Sequence, residues 1–65
     1  MFSIGDQVLH QKTEHMGEVI GYGHQILNTV YTTTLKVLVT YAESSGRHGV
    51  VEEDLYSAWT KRPLA

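Results

Sequence analysis

The chain has 65 residues, no cysteine, five Lys/Arg against seven Asp/Glu, and a formal charge of −2 with its four histidines neutral. These values exclude a disulfide framework, a thiolate metal site and a cysteine nucleophile, and they lack the basic excess of a dedicated polyanion binder. A chain this short makes one domain, residues 1–65, that buries only about 60% of the surface its unfolded form exposes, so nearly every large apolar residue is needed for the core. No apolar run approaches the roughly 20 residues of a membrane span. Met1-Phe2-Ser3-Ile4 leads straight into a turn and not into a signal peptide. The expectation is a cytoplasmic domain with no cofactor and no membrane insertion.

Gly5-Asp6 opens the pattern as a tight turn, because Gly permits positive φ and Asp can bond nearby backbone. Gln7 to Gln11 alternates as a strand. Lys12-Thr13-Glu14-His15-Met16 is a polar loop, and Gly17 to Tyr22 a second strand. Gly21 and Gly23 flank Tyr22 and predict a bulge or sharp bend. His24 to Thr29 is expected to be a longer connection, with a turn beginning at Asn28-Thr29.

Val30-Tyr31-Thr32-Thr33-Thr34 is β-branched and aromatic, which favours strand. Leu35, Val37, Val39 and Tyr41 then share one face, the clearest period-2 run of the chain. Glu43-Ser44-Ser45-Gly46 predicts a turn, and Arg47 to Val51 the strand that completes a hairpin. Glu52-Glu53-Asp54-Leu55-Tyr56 changes period and predicts a 3₁₀ turn. Ser57 to Thr60 is a short last strand, ended by Pro63. The predicted fold is all-β, a small SH3-like five-stranded barrel with a 3₁₀ turn before its last strand. Its expected core is Val8, Val19, Leu35, Val37, Val39, Val50 and Leu55, closed by Ile4, Ile20 and Trp59.

Gly5-Asp6-x-Val8-x-His10, Gly17-x-Val19-x-Gly21 and Val51-x-x-x-Leu55 together resemble a broad set of SH3-like barrels. The opening is similar to CarD-type RNA polymerase-binding domains, the hemimethylated-DNA-binding-like family and KOW modules. The chain departs from KOW modules in having no basic cluster, and from CarD-type proteins in having no helical second domain. It is much shorter than the hemimethylated-DNA-binding-like family. Small accessory subunits of photosynthetic electron-transfer complexes share this fold class, and a role as such a subunit is a further alternative that the resemblance implies.

Few residues offer chemistry. His10, His15, His24 and His48 follow no metal-ligand spacing, and surface histidine is the simpler reading, with His10 half-buried on its strand. Protonating all four would turn the formal charge from −2 to +2 (−2 + 4). Glu52, Glu53 and Asp54 form an acidic patch that suits a basic partner, or that caps the free N–H groups of the 3₁₀ turn. No base is spaced to activate the Thr32-Thr33-Thr34 or Ser44-Ser45 hydroxyls, and Gly21-Tyr22-Gly23-His24 is no phosphate loop. An enzyme is therefore not expected.

The remaining signal is an excess of apolar and aromatic residues over what the core can absorb, among them Phe2, Met16, Ile26, Leu27 and Leu64. Tyr22, His24, Ile26, Leu27, Tyr31 and Trp59 are the candidate partner-binding residues. The alternative is that Ile26 and Leu27 fold back over a barrel end while Trp59 and the tyrosines plug it. The leading expectation is a non-catalytic protein-interaction module, an adaptor or accessory subunit. The resemblance implies a nucleic-acid- or RNA-polymerase-associated factor as runner-up, using Lys12, Lys36, Arg47, Lys61 and Arg62.

Overall fold

The computed structural model describes residues 1–43 and 46–62. Five strands form one antiparallel sheet: β1 (Gln7–His10), β2 (Met16–Leu27), β3 (Val30–Glu43), β4 (Gly46–Leu55) and β5 (Trp59–Lys61), with a 3₁₀ turn at Tyr56–Ala58. The spatial order is β4-β3-β2-β1-β5. The chain is all-β, as expected, and its 3₁₀ turn precedes the last strand. No helix among the described residues is long and apolar enough to cross a membrane.

The first turn forms because residue 5 is glycine. Asp6 N–H donates to the Ser3 carbonyl at 3.0 Å, and Ser3 N–H donates to the Asp6 carboxylate at 2.9 Å. Gly5 sits at φ +95, the third position of a type II turn, which few side chains tolerate. The chain then enters β1 with Val8 and His10 facing inward.

A bulge bends β2. Val19 lies opposite Val37 and Gly21 opposite Lys36, so Ile20 is the extra residue. Such an insertion sharpens twist and lets a small sheet roll. The same strand passes very close to β3 at Gly17, where a Cβ would meet the Leu38 carbonyl group and lie 2.8 Å from Val37 Cγ1.

Rolling places Val8, Val19, Leu35, Val37, Val39 and Trp59 in the core, with Phe2, Tyr41, Tyr56 and Ala58 packed around them. Three expected core members differ. Ile4, Ile20 and Val50 are exposed, Ile20 because the bulge turns it out of phase. Leu55 is half-buried.

Two elements differ from expectation. His24 to Leu27 is not a connection, because β2 runs on to Leu27 and pairs with β3 up to Leu27–Val30. Only Asn28-Thr29 turn, at φ 49 and 65, the two left-handed positions of a type I′ hairpin. The acidic run does not form the 3₁₀ turn either. Glu52 to Leu55 continue β4, and the turn begins one residue beyond, with no acidic side chain capping it. The strand wins because its alternation sends Glu52 and Asp54 inward to histidine partners. Of the predicted Glu43–Gly46 turn, Glu43 and Gly46 pair at the ends of β3 and β4, while Ser44 and Ser45, like Pro63 and Leu64, lie outside the described residues.

The left-handed Thr29 is strained, since β-branched side chains rarely adopt φ near +60. Thr29→Gly is expected to stabilise the protein by about 1 kcal/mol. That raises the melting temperature by roughly 4–8 °C in a domain of this size. Calorimetry of the variant checks it, and an unchanged or lower melting temperature contradicts the strain.

Candidate functional site

The outer half of the β2–β3 hairpin stands apart from the body. From Tyr22 onward β2 pairs only with β3, and β3 before Thr34 pairs only with β2, among the described residues. Residues 22–33 therefore form a two-stranded ribbon projecting from a rolled sheet. Its tip carries apolar side chains in open water. Ile26 lies across from Tyr31, 61% and 75% exposed, and Leu27 lies across from Val30, both also exposed. His24 meets Tyr31 edge to face, with ring centroids 6.2 Å apart.

The base of the ribbon is held on both sides. On the outer face Gly23 has no Cβ to obstruct the Glu53 carboxylate, which accepts a hydrogen bond from the buried Thr34 hydroxyl at 2.5 Å. On the inner face two tyrosines grip the main chain of residue 2. Phe2 N–H donates to the Tyr56 hydroxyl at 2.5 Å, and the Tyr22 hydroxyl donates to the Phe2 carbonyl at 2.6 Å. The Phe2 and Tyr56 rings lie 4.9 Å apart. A mostly apolar groove of about 560 Å³ opens there between Phe2, Tyr22, Thr33 and Tyr56.

Of the six residues expected to bind a partner, the fold gathers five on this ribbon: Tyr22, His24, Ile26, Leu27 and Tyr31. Trp59 is elsewhere. It is 3% exposed, opposite His10 in the β1–β5 register, with the two rings perpendicular at 4.8 Å. Its indole N–H finds no acceptor among the described residues. Ile26 and Leu27 do not fold back over the core. Val30, exposed beside Leu27 at the tip, was not among the six, although the β-branched and aromatic run Val30–Thr34 was legible as a strand.

The acidic patch is divided by the strand period. Glu53 points to the outer face and Thr34. Asp54 and Glu52 point inward and form a polar seam joining β4 to the β1–β2 hairpin. His10, 5% exposed, accepts hydrogen bonds at Nδ1 from Lys12 and Thr13 N–H, each at 3.1 Å. Its proton therefore sits on Nε2, which donates to Asp54 at 2.7 Å. One ring so orders the β1–β2 loop and ties it to the sheet edge.

Beside it, His15 Nδ1 faces both Glu52 oxygens at 2.9 and 3.0 Å, and the Tyr41 hydroxyl donates to Glu52 at 2.6 Å. The His10 hydrogen bond and the Leu55 N–H hold the Asp54 carboxyl below its ordinary pKa, against a smaller effect of burial. Burial pushes Glu52 upward, but the Tyr41 and His15 hydrogen bonds together outweigh it, and its carboxyl also lies below the usual range. The Glu52 carboxylate, with burial, raises the Tyr41 phenol. The seam ties β4 to the β1–β2 hairpin, and the Tyr41 hydroxyl lies within it, 3.2 Å from His15 Nδ1.

The basic residues do not make a stripe. Lys61 lies 3.7 Å from Asp6, Lys36 sits across from Glu53, and Lys12 is near enough to Asp54 to lower its pKa. Arg47 and Arg62 share a depression with Glu18. Among the described residues no three histidine or carboxylate groups gather as a metal site. In comparisons with known proteins, no family model, no curated protein and no solved structure matches this chain.

Proposed function

We propose that the protein is a non-catalytic protein-interaction module, an adaptor or accessory subunit of a larger assembly, and that the β2–β3 ribbon is its contact surface. The carrying observation is the ribbon tip, where Ile26, Leu27, Val30 and Tyr31 are all exposed on an element the core does not need. Exposed apolar clusters of this kind mark interaction sites. Tyr and His supply polar edges that can bond across an interface. A nucleic-acid role has weaker support, because five Lys/Arg stand against seven Asp/Glu and the chain lacks the basic excess such binding draws on.

Capture from lysate with the tagged protein, with and without nuclease, tests this reading. Wild type is expected to retain stoichiometric protein partners through nuclease treatment. Ile26→Ser with Leu27→Ser is expected to lose them while keeping the wild-type circular dichroism and Trp59 emission. Global unfolding of that double variant, or partners lost with nuclease, would contradict the proposal.

A further inference from the structure

We infer that the ribbon's occupant is a second copy of this chain, two ribbons meeting about a two-fold axis through Ile26 and Tyr31. The inference rests on reading the ribbon as a contact surface and adds the identity of what covers it.

Charge is the first argument. All twelve Asp, Glu, Lys and Arg residues lie outside residues 19–35. That uncharged stretch contains the whole ribbon on both strands. A two-fold contact brings each residue near its own copy or near a residue whose copy it also meets. A charge at the axis of such a contact faces its own copy, and the ribbon carries none there. A surface meant for a charged partner would carry complementary charge, and this one has none to offer.

Edge chemistry is the second. Both ribbon edges present unpaired main-chain groups. In a two-residue hairpin Leu27 and Val30 exchange the bonds next to the turn, so Ile26 and Tyr31 aim N–H and C=O outward. Proteins that must remain single copies guard such edges with lysine, proline or an inward charge. The segment Tyr22–Thr33 holds none of these. A hairpin without further strands is also marginal in water. An unguarded, neutral ribbon rich in β-branched residues is most simply completed by an identical one.

Shape is the third. Ile26, His24 and Tyr31 share a face, because Ile26 pairs with Tyr31 and His24 with Thr33. Ile26 and Tyr31, each meeting its own copy across the axis, give an aromatic–aliphatic centre with tyrosine and histidine polar atoms at its rim.

Sedimentation equilibrium of the full chain, from micromolar to millimolar, decides the matter. Wild type is expected to rise from the 7.3 kDa chain mass toward twice that value. Ile26→Glu and Ile26→Lys, at a position that is exposed in the single chain, are each expected to weaken association about a hundredfold or more through like-charge contact. An equimolar mixture of the two is expected to associate again. Tyr31→Glu gives a second disruption should either variant lose the wild-type circular dichroism.

A wild type that stays at single-chain mass throughout overturns the inference. So does a dimer indifferent to Ile26→Glu and Tyr31→Glu, or a mixture of charge variants that fails to re-associate. A single-chain wild type whose captured partners still depend on Ile26 and Leu27 would overturn self-pairing alone and leave the interaction-module reading intact.

Discussion

Gly17→Ala is expected to cost about 3 kcal/mol or more, enough to unfold much of a domain this small, while Gly21→Ala stays within about 1 kcal/mol of wild type. The two glycines are four residues apart on one strand, and neither needs a left-handed backbone. They differ in what a methyl group would meet. At position 17 it would run into the Leu38 carbonyl group, which is sheet backbone and cannot step aside, and into Val37 in the core. At position 21 the nearest atoms are Lys36 Cδ and Cβ at 3.7 and 3.9 Å, an ordinary contact with a movable side chain. Replacing a strand glycine also removes backbone freedom from the unfolded chain, which favours the Ala variant where space allows. Urea unfolding followed by Trp59 emission separates the cases. Equal midpoints for the two variants would mean that the close β2–β3 approach at Gly17 does not hold in solution.

The second large effect falls on the seam. His10→Ala is expected to cost about 3–4 kcal/mol, since it leaves a cavity against Trp59, two loop N–H groups without an acceptor and Asp54 without its donor. Acid should act on the same contacts more gradually. Asp54 and Glu52 have lowered pKa values in the folded chain, from ordinary values of 3.8 and 4.5. The folded state thus binds fewer protons than the unfolded one, and stability increases with pH through this window. Their contribution is complete above about pH 4.5 and is lost as pH falls through the lowered values. Asp54→Asn is expected to flatten that acid limb.

Tyr41 works in the opposite sense. Its folded pKa is raised above 10.0, so its contribution is complete below pH 10 and is lost as pH rises through the raised value. Tyr41→Phe removes the alkaline limb and also shallows the acid one, because Glu52 loses the hydrogen bond that most lowers its pKa, while the Asp54 part remains. Melting temperature measured across pH for the three proteins checks both limbs. An acid limb as steep in Asp54→Asn as in wild type would show that the seam does not supply it.

Much of the fold was legible because its local signals agree with one another. The Leu35–Tyr41 alternation, the Gly5-Asp6 turn and the glycines near Tyr22 each gave the right element, and the bulge lies within two residues of where the glycines placed it. What failed has two physical sources. Gly21, Gly23 and the polar His24-Gln25 masked the continuation of β2, because a strand without body contacts on either edge has no burial pattern to read. Period alone could not show that Glu52 and Asp54 were inward residues, since carboxylates face a core only when partners wait there.

The partners were His10 and His15, more than thirty-five residues earlier, and pairing over that separation is invisible locally. Val8 and His10 on one phase, with Glu52 and Asp54 on another, was the available clue. Of the six residues expected to bind a partner, five fall together on the ribbon, and the apolar excess of the chain pointed to two of them, Ile26 and Leu27. The sixth, Trp59, was misleading because an aromatic near the end of a small sheet serves the core as readily as a surface.

The position of β1 between β2 and β5 governs the order in which the molecule can assemble. The β2–β3–β4 meander uses neighbours in the chain and can form as soon as Leu55 is available. β1 can join it early, but the His10–Trp59 contact and the β5 ladder require residues that arrive last. Closing that long loop is the slow, entropically costly step of such a topology. Until it happens Trp59 is in water and the inner faces of Val8, Val19 and Val37 lack their lid. The uncharged hairpin is already present in that interval. A nascent or partly unfolded chain therefore exposes its uncharged, apolar hairpin before its core is sealed, the kind of interval in which unpaired strand edges invite association between chains.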